Sequence, residues 1–108
     1  MKSMYLAEKT PIVGIKETFV NATKGWMLGE RTCEDLWTDD RSKLFQSLKK
    51  EYGPIASPIY RDQLQVNGQM ASIQVGYVFK GWQRYEDTRE PYQREVWVEF
   101  LEQEDARI

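Results

Sequence analysis

The sequence predicts an α+β fold: a two-layer sandwich in which an antiparallel sheet of four to five strands carries one helix packed on one face. Three observations lead there. Ile73, Val75, Tyr77 and Phe79 fall on every second position, as do Val96, Val98 and Phe100, which is the two-residue period of half-buried strands. Asn67-Gly68 stands between two strand-like runs, a dipeptide that accepts the positive φ of a tight hairpin turn. Leu44, Phe45, Leu48 and Tyr52 repeat at helical spacing, giving one apolar stripe to lay across a sheet.

The elements follow in order. Met1 to Thr10 is short and mixed, Pro11 interrupts it, and no element is assigned there. Ile12 to Val20 reads as a first strand, with Val13, Ile15 and Phe19 on one parity, Lys16 and Thr18 on the other, and turn residues from Asn21 to Gly25. Trp26 to Leu28, an apolar patch between glycines, is open between a second short strand and a loop tucked against the core. The helix has its own boundaries. Thr38 is placed to cap it, Asp39 and Asp40 set negative charge at its positive end, Lys49 and Lys50 set positive charge at the other, and Gly53-Pro54 stops it. Leu36 and Trp37 continue the stripe backwards and Thr32 with Asp35 resembles a capping pair, so a start at Thr32 is the alternative.

Pro54 and Pro58 bracket a connector, after which Ile59 to Val66 reads as a strand. A two-residue turn at Asn67-Gly68 sets Val66 opposite Gln69, Leu64 against Ala71 and Tyr60 against Val75, placing Tyr60 and Leu64 on the buried face. Gly81 marks a bulge or bend in the following strand. A second hairpin pairs Tyr85 with Tyr92 around a loop of Glu86 to Pro91, and so sets Phe79 opposite Val98, Tyr77 opposite Phe100 and Lys80 opposite Trp97. These last three strands form a meander, and the charged tail from Glu102 to Ile108 frays.

At 108 residues the chain is expected to be one domain, residues 1–108, able to bury roughly two thirds of its unfolded surface. Its 41% hydrophobic and 30% charged content is ordinary for a soluble protein, and a net charge of -2 defines no strong field toward nucleic acid or an acidic surface. Cys33 is the only cysteine, which excludes an internal disulfide and a multi-cysteine metal site and fits a reducing compartment. No window approaches the ~20 apolar residues of a membrane span, so a cytoplasmic location without membrane contact is expected. The chain contains no histidine, the commonest general acid or base at neutral pH. The carboxylates come as sequence neighbours, Glu34-Asp35, Asp39-Asp40 and Glu86-Asp87, a pattern that suits capping and solvation. Gly25 and Gly29 flank Trp-Met-Leu and lack the Lys-Ser/Thr of a phosphate loop. Cys33, with only Arg31 and lysines to activate it, is expected to be a small buried thiol. No catalytic residue, cofactor or metal ligand is therefore assigned, and a non-enzymatic protein is expected.

Function rests on the stretch from Lys80 to Trp97. In the register above, Trp82 and Trp97 are diagonal neighbours on the face away from the helix, with Val78 and Leu101 beside them, and aromatic residues of this kind anchor protein interfaces. The expectation is a small binding protein acting through protein contacts on an exposed sheet face, as a homodimer or with a protein partner. The alternative is a nucleic-acid-binding accessory domain using Lys80, Arg84, Tyr85, Arg89, Tyr92 and Arg94. Glu86, Asp87, Glu90, Glu95 and Glu99 in the same window oppose phosphate binding. An enzyme or small-molecule binder, with a pocket between helix and sheet lined by tyrosines such as Tyr52, Tyr60 and Tyr77, ranks third.

Overall fold

The computed structural model describes residues 10–84 and 90–103. They form β1 (Ile12–Asn21), β2 (Trp26–Cys33), α1 (Arg41–Tyr52), β3 (Ala56–Leu64), β4 (Met70–Arg84) and β5 (Pro91–Glu102). The five strands make one open antiparallel sheet in the order β2-β1-β5-β4-β3, so the fold is α+β with a single helix and β5 is the middle strand. Trp26 to Leu28 opens an edge strand, and Thr32 lies within that strand, so the helix does not start there. Among the described residues no helix is long and apolar enough to cross a membrane.

The helix begins later than the capping pattern of Thr38 implies. Thr38 exchanges backbone hydrogen bonds with Ile12, at 2.8 and 2.9 Å, which fixes it in an extended bridge. Asp40 is the cap instead: its side chain accepts from the Lys43 backbone N–H at 3.1 Å, while Thr38 Oγ1 accepts from the Asp40 N–H. Gly53 closes the other end by donating to Lys49 O. The predicted stripe faces the sheet, with Leu44, Leu48 and Tyr52 buried against Ile12, Ile15, Phe79, Val96 and Val98. Phe45 stacks on Tyr77 at 4.4 Å between ring centroids. In β1 the ladder skips Val13, so Ile12 takes the core position that strict alternation gives to Val13.

The two hairpins depart from their expected registers in different ways. In the β4–β5 pair Phe79 faces Val96, Tyr77 faces Val98, Val78 faces Trp97 and Lys80 faces Glu95. This is a two-residue shift, because Tyr92 lies opposite Gln83 rather than Tyr85; a shift of two leaves every side chain on its expected face. β5 also continues through Glu102, with Gln103 donating to Pro11 O at 3.0 Å, so the strand claims part of the expected tail. The β3–β4 turn holds three residues, Val66, Asn67 and Gly68. Gln65 donates to Gln69 O at 2.8 Å and Gly68, at φ 84°, donates to Gln65 O, the geometry of a turn closed by a left-handed glycine.

That extra loop residue moves the distal half of the hairpin by one, pairing Leu64 with Met70 and Tyr60 with Gln74. The slip moves Ile73 and Ala71 to the side of Arg61 and Gln63. Tyr60 and Leu64 keep the side of Pro58 and Tyr77 but lie beyond the end of the β4–β5 pairing, so they are exposed, 57% and 70%, and not buried as the two-residue turn implies. A bulge restores the expected register nearer the helix: Ile59 pairs with Gly76, leaving Val75 without a partner in β3. The bulge is thus at Val75 and not at Gly81, where the β4–β5 ladder is unbroken. Gly81 instead leaves room for the Arg94 guanidinium, whose Nη2 would lie 3.0 Å from an added Cβ. Since β4 pairs with β5 only from Gly76 onward, Tyr60–Leu64 and Met70–Val75 project as a two-stranded arm, consistent with principal extents of 57 × 27 × 21 Å.

Candidate functional site

The face of the sheet away from α1 is built by the alternate residues of each strand. Across its middle run Glu30, Thr18, Trp97, Val78 and Ser57, each paired with the next. Trp97 therefore occupies the centre of the middle strand. It is 40% exposed, its Nε1 donates to Glu95 Oε1 at 3.0 Å, and the Val78 opposite it is buried. The adjoining rows carry charge: Lys80 opposite Glu95 on one side, and on the other Lys16 opposite Glu99, which pairs with Arg61. Lys16 also reaches Glu30 at 3.9 Å. The site is a central aromatic ring inside three cations, Lys16, Arg61 and Lys80, and three anions, Glu30, Glu95 and Glu99.

The expected interface residues are only partly brought together. Trp82 faces Gln93, four residues along β5 from Trp97, so about 13 Å of strand separates two rings expected to be diagonal neighbours. Lys80 and Glu95 lie between them. Trp82 is 71% exposed, Leu101 is half-buried opposite Gly14, and Val78 is already covered. The basic and aromatic set for nucleic acid is divided between the faces. Lys80 and Arg84 share the open side with Trp82, whereas Tyr92 is buried on the helix side and Arg94 donates to Tyr52 O at 2.8 Å there. Tyr85 and Arg89 lie outside the described residues. The tyrosines expected to line a pocket are also apart: Tyr60 is exposed on the arm, while Tyr52 and Tyr77 pack in the core.

Sequence reading missed a polar cluster beneath the helix. Glu17 shares the parity of Ile15 and Phe19, and the ladder places it opposite the buried Val98, leaving it 2% exposed. Its carboxylate accepts a short hydrogen bond from the Tyr52 hydroxyl and another from Arg31 Nε at 2.7 Å; Arg31 Nη2 also donates to the Tyr52 hydroxyl oxygen at 3.0 Å. The signal was available, since an acidic residue on the buried parity of a strand calls for a partner on a neighbouring element. Arg31 lies directly opposite in β2 and Tyr52 closes the helix stripe.

Burial, followed by the hydrogen bond to Glu17, pushes the Tyr52 hydroxyl well above the ordinary tyrosine range, and the bond to Glu17 holds the Arg31 guanidinium higher still than usual. Both shifts favour the resting protonation states and make neither group a better base. A groove of about 510 Å³ beside this cluster is lined by Ile15, Thr32, Cys33, Asp35 and Glu51 among others. Cys33, expected to be buried, is exposed there because β2 is an edge strand. Among the described residues no group of three or more potential metal ligands occurs. Comparison with protein-family models, with curated proteins and with solved structures returns no significant match.

Proposed function

We propose that this chain is a small non-enzymatic binding protein that acts through protein contacts on the open sheet face, with a second copy of itself as the partner. The observation that carries this reading is Trp97: a half-exposed indole at the centre of the middle strand, inside a ring of charge. Central aromatics surrounded by a polar rim are the usual anchors of protein interfaces. The ring favours a second copy, because the three cations and three anions around Trp97 are neutral in sum and can meet their opposites across a two-fold axis. The same balance argues against nucleic acid, which needs an uncompensated positive surface. The two-layer arrangement, helix over one side and the other side open, is the architecture this reading rests on.

Sedimentation of the wild type and of Trp97→Thr is the test, since threonine keeps strand propensity while removing apolar area. The wild type is expected to associate at high micromolar concentration, more weakly as salt screens the charged ring. The variant should keep its circular-dichroism spectrum and associate at least tenfold more weakly, the loss of one central anchor. Equal association of the two proteins would sink the reading, as would a Trp97→Thr chain that fails to fold, which would mean the ring is covered by its own chain.

A further inference from the structure

The arm formed by Tyr60–Leu64 and Met70–Val75 projects about 20 Å beyond the point where β4 leaves β5. Beside the exposed Arg61 and Asp62 it carries four large apolar side chains in water: Tyr60 and Leu64 on one strand, Met70 opposite Leu64, and Val66, 79% exposed, in the turn. In a chain that is 30% charged, no charged residue occurs between Asp62 and Lys80. Natural edge strands are kept apart by lysines, prolines or bulges placed on the edge. On β3 the only proline is Pro58, at the end near the helix, and the bulge belongs to β4; the outer edge of Ile59–Leu64 has no neighbour strand among the described residues.

We propose that this edge pairs with the same edge of a second copy, antiparallel about a two-fold axis at Gln63. A two-fold axis sets a residue against its own copy, and pairs residues of like facing on either side. An axis at Arg61 or Asp62 would put like charges in contact, a destabilising arrangement across strands. An axis at Gln63 avoids this. It sets Gln63 against the partner's Gln63, Tyr60 against the partner's Val66 and Asp62 against the partner's Leu64, and brings both copies of Leu64 and Met70 together on one face with the two Asp62 carboxylates at its margin. The bodies lie at opposite ends of the paired arms, so nothing obstructs the approach, and Pro58 ends the pairing before it reaches them. The arm carries one cation, Arg61, which pairs with Glu99, and one anion, Asp62, so it offers no net positive charge to phosphates. This edge contact is separate from the face around Trp97. Its axis runs perpendicular to the sheet and a face-to-face axis lies parallel to it, so the two contacts together generate dimers of dimers.

Disulfide trapping tests the pairing. Residues facing each other on neighbouring antiparallel strands have Cα atoms about 4.5 to 5.5 Å apart, within disulfide reach. In a Cys33→Ser background, Gln63→Cys is expected to oxidise almost wholly to a covalent dimer at low micromolar concentration, while Thr32→Cys on the β2 edge is not. Gln63→Lys, which sets like charges directly across the axis, should leave the fold unchanged and weaken the edge contact at least tenfold. Trp97→Thr should leave the Gln63→Cys crosslink intact, so failure of the face contact and failure of the edge contact are told apart. No crosslink from Gln63→Cys, or association unaffected by Gln63→Lys, overturns the proposal. Binding to phosphatidylcholine vesicles that Leu64→Lys abolishes, without a crosslink in solution, would assign the arm to a lipid surface and overturn it equally.

Discussion

Tyr52→Phe isolates the energetic role of the buried cluster. The substitution deletes one oxygen and leaves the ring in place, so the contacts of Tyr52 with Phe19 at 6.2 Å and Phe79 at 5.9 Å are retained. Lost is the hydroxyl that donates to Glu17 and accepts from Arg31. Glu17 is almost wholly buried, and water cannot easily replace the missing donor on its second oxygen. A hydrogen bond to a charged acceptor contributes about 1.5 to 3 kcal/mol, and a buried acceptor left unsatisfied puts the cost toward the upper end.

With a urea m-value of about 1.5 kcal/mol/M, the unfolding midpoint should fall by about 1 to 2 M. The effect also has a pH signature. The hydroxyl pKa is raised in the folded state, first by burial and then by the bond to Glu17, above an unfolded value of about 10. Its contribution is therefore complete below about pH 10 and is lost as pH rises from there toward the folded-state value. The gap between wild type and Tyr52→Phe should be constant from pH 7 to 9 and shrink by pH 11. Other titrating groups are common to both proteins and cancel. A midpoint shift below about 0.3 M, or a gap that stays constant to pH 11, would refute the assignment.

Three further substitutions probe the sheet. Phe79→Ala should cost about 3 to 5 kcal/mol, the range for deleting a buried aromatic, because Phe79 is fully buried between Val96 and the helix; an unchanged denaturant midpoint would show the inner face of β4 to be misassigned. Gly76→Ala should cost about 3 kcal/mol or more, since an added Cβ would overlap the Val98 carbonyl oxygen and lie 2.9 Å from its carbon, both backbone atoms that cannot move aside. Gly29→Ala, with nothing within 4 Å of the new carbon, should stay within about 0.5 kcal/mol of wild type. Equal costs for the two glycines, read from urea melts, would mean β4 does not cross β5 as closely as described.

The elements were legible because their signals are local. Alternation found β4 and β5, and Gly53-Pro54 with the Leu44, Leu48 and Tyr52 stripe found α1 and its buried side. Registers were less so. Asn67-Gly68 fits a two-residue turn and a three-residue loop equally well, and the choice decides whether Ile73 shares a face with Tyr60 and Leu64 or with Arg61. Nothing local to Val75 announces a bulge, which forms where β4 parts from β5. The separation of Trp82 from Trp97 followed from pairing Tyr92 with Gln83 rather than Tyr85, a matter of loop closure that alternation cannot register. Glu17 could have been found from its parity alone, and Arg31 and Tyr52 became its partners only through pairing between distant strands. The open face could be foreseen from a single helix, but the central place of Trp97 depends on strand order, which no sequence period encodes.

The strand order bears on how the chain is made. β5 lies between β1 and β4, yet it is translated after every other described strand. Until it leaves the ribosome, β1–β2 and β3–β4 are separate hairpins, and Val96, Val98 and Phe100 are missing from the surface on which α1 packs. Isolated hairpins are marginal in water, and a chain whose contacts are mainly non-local folds slowly. The nascent protein therefore waits with two unpaired strand edges and an unburied helix stripe, the condition in which chaperones bind and chains misassociate. Folding is concentrated in one late step, the insertion of β5 between two waiting hairpins.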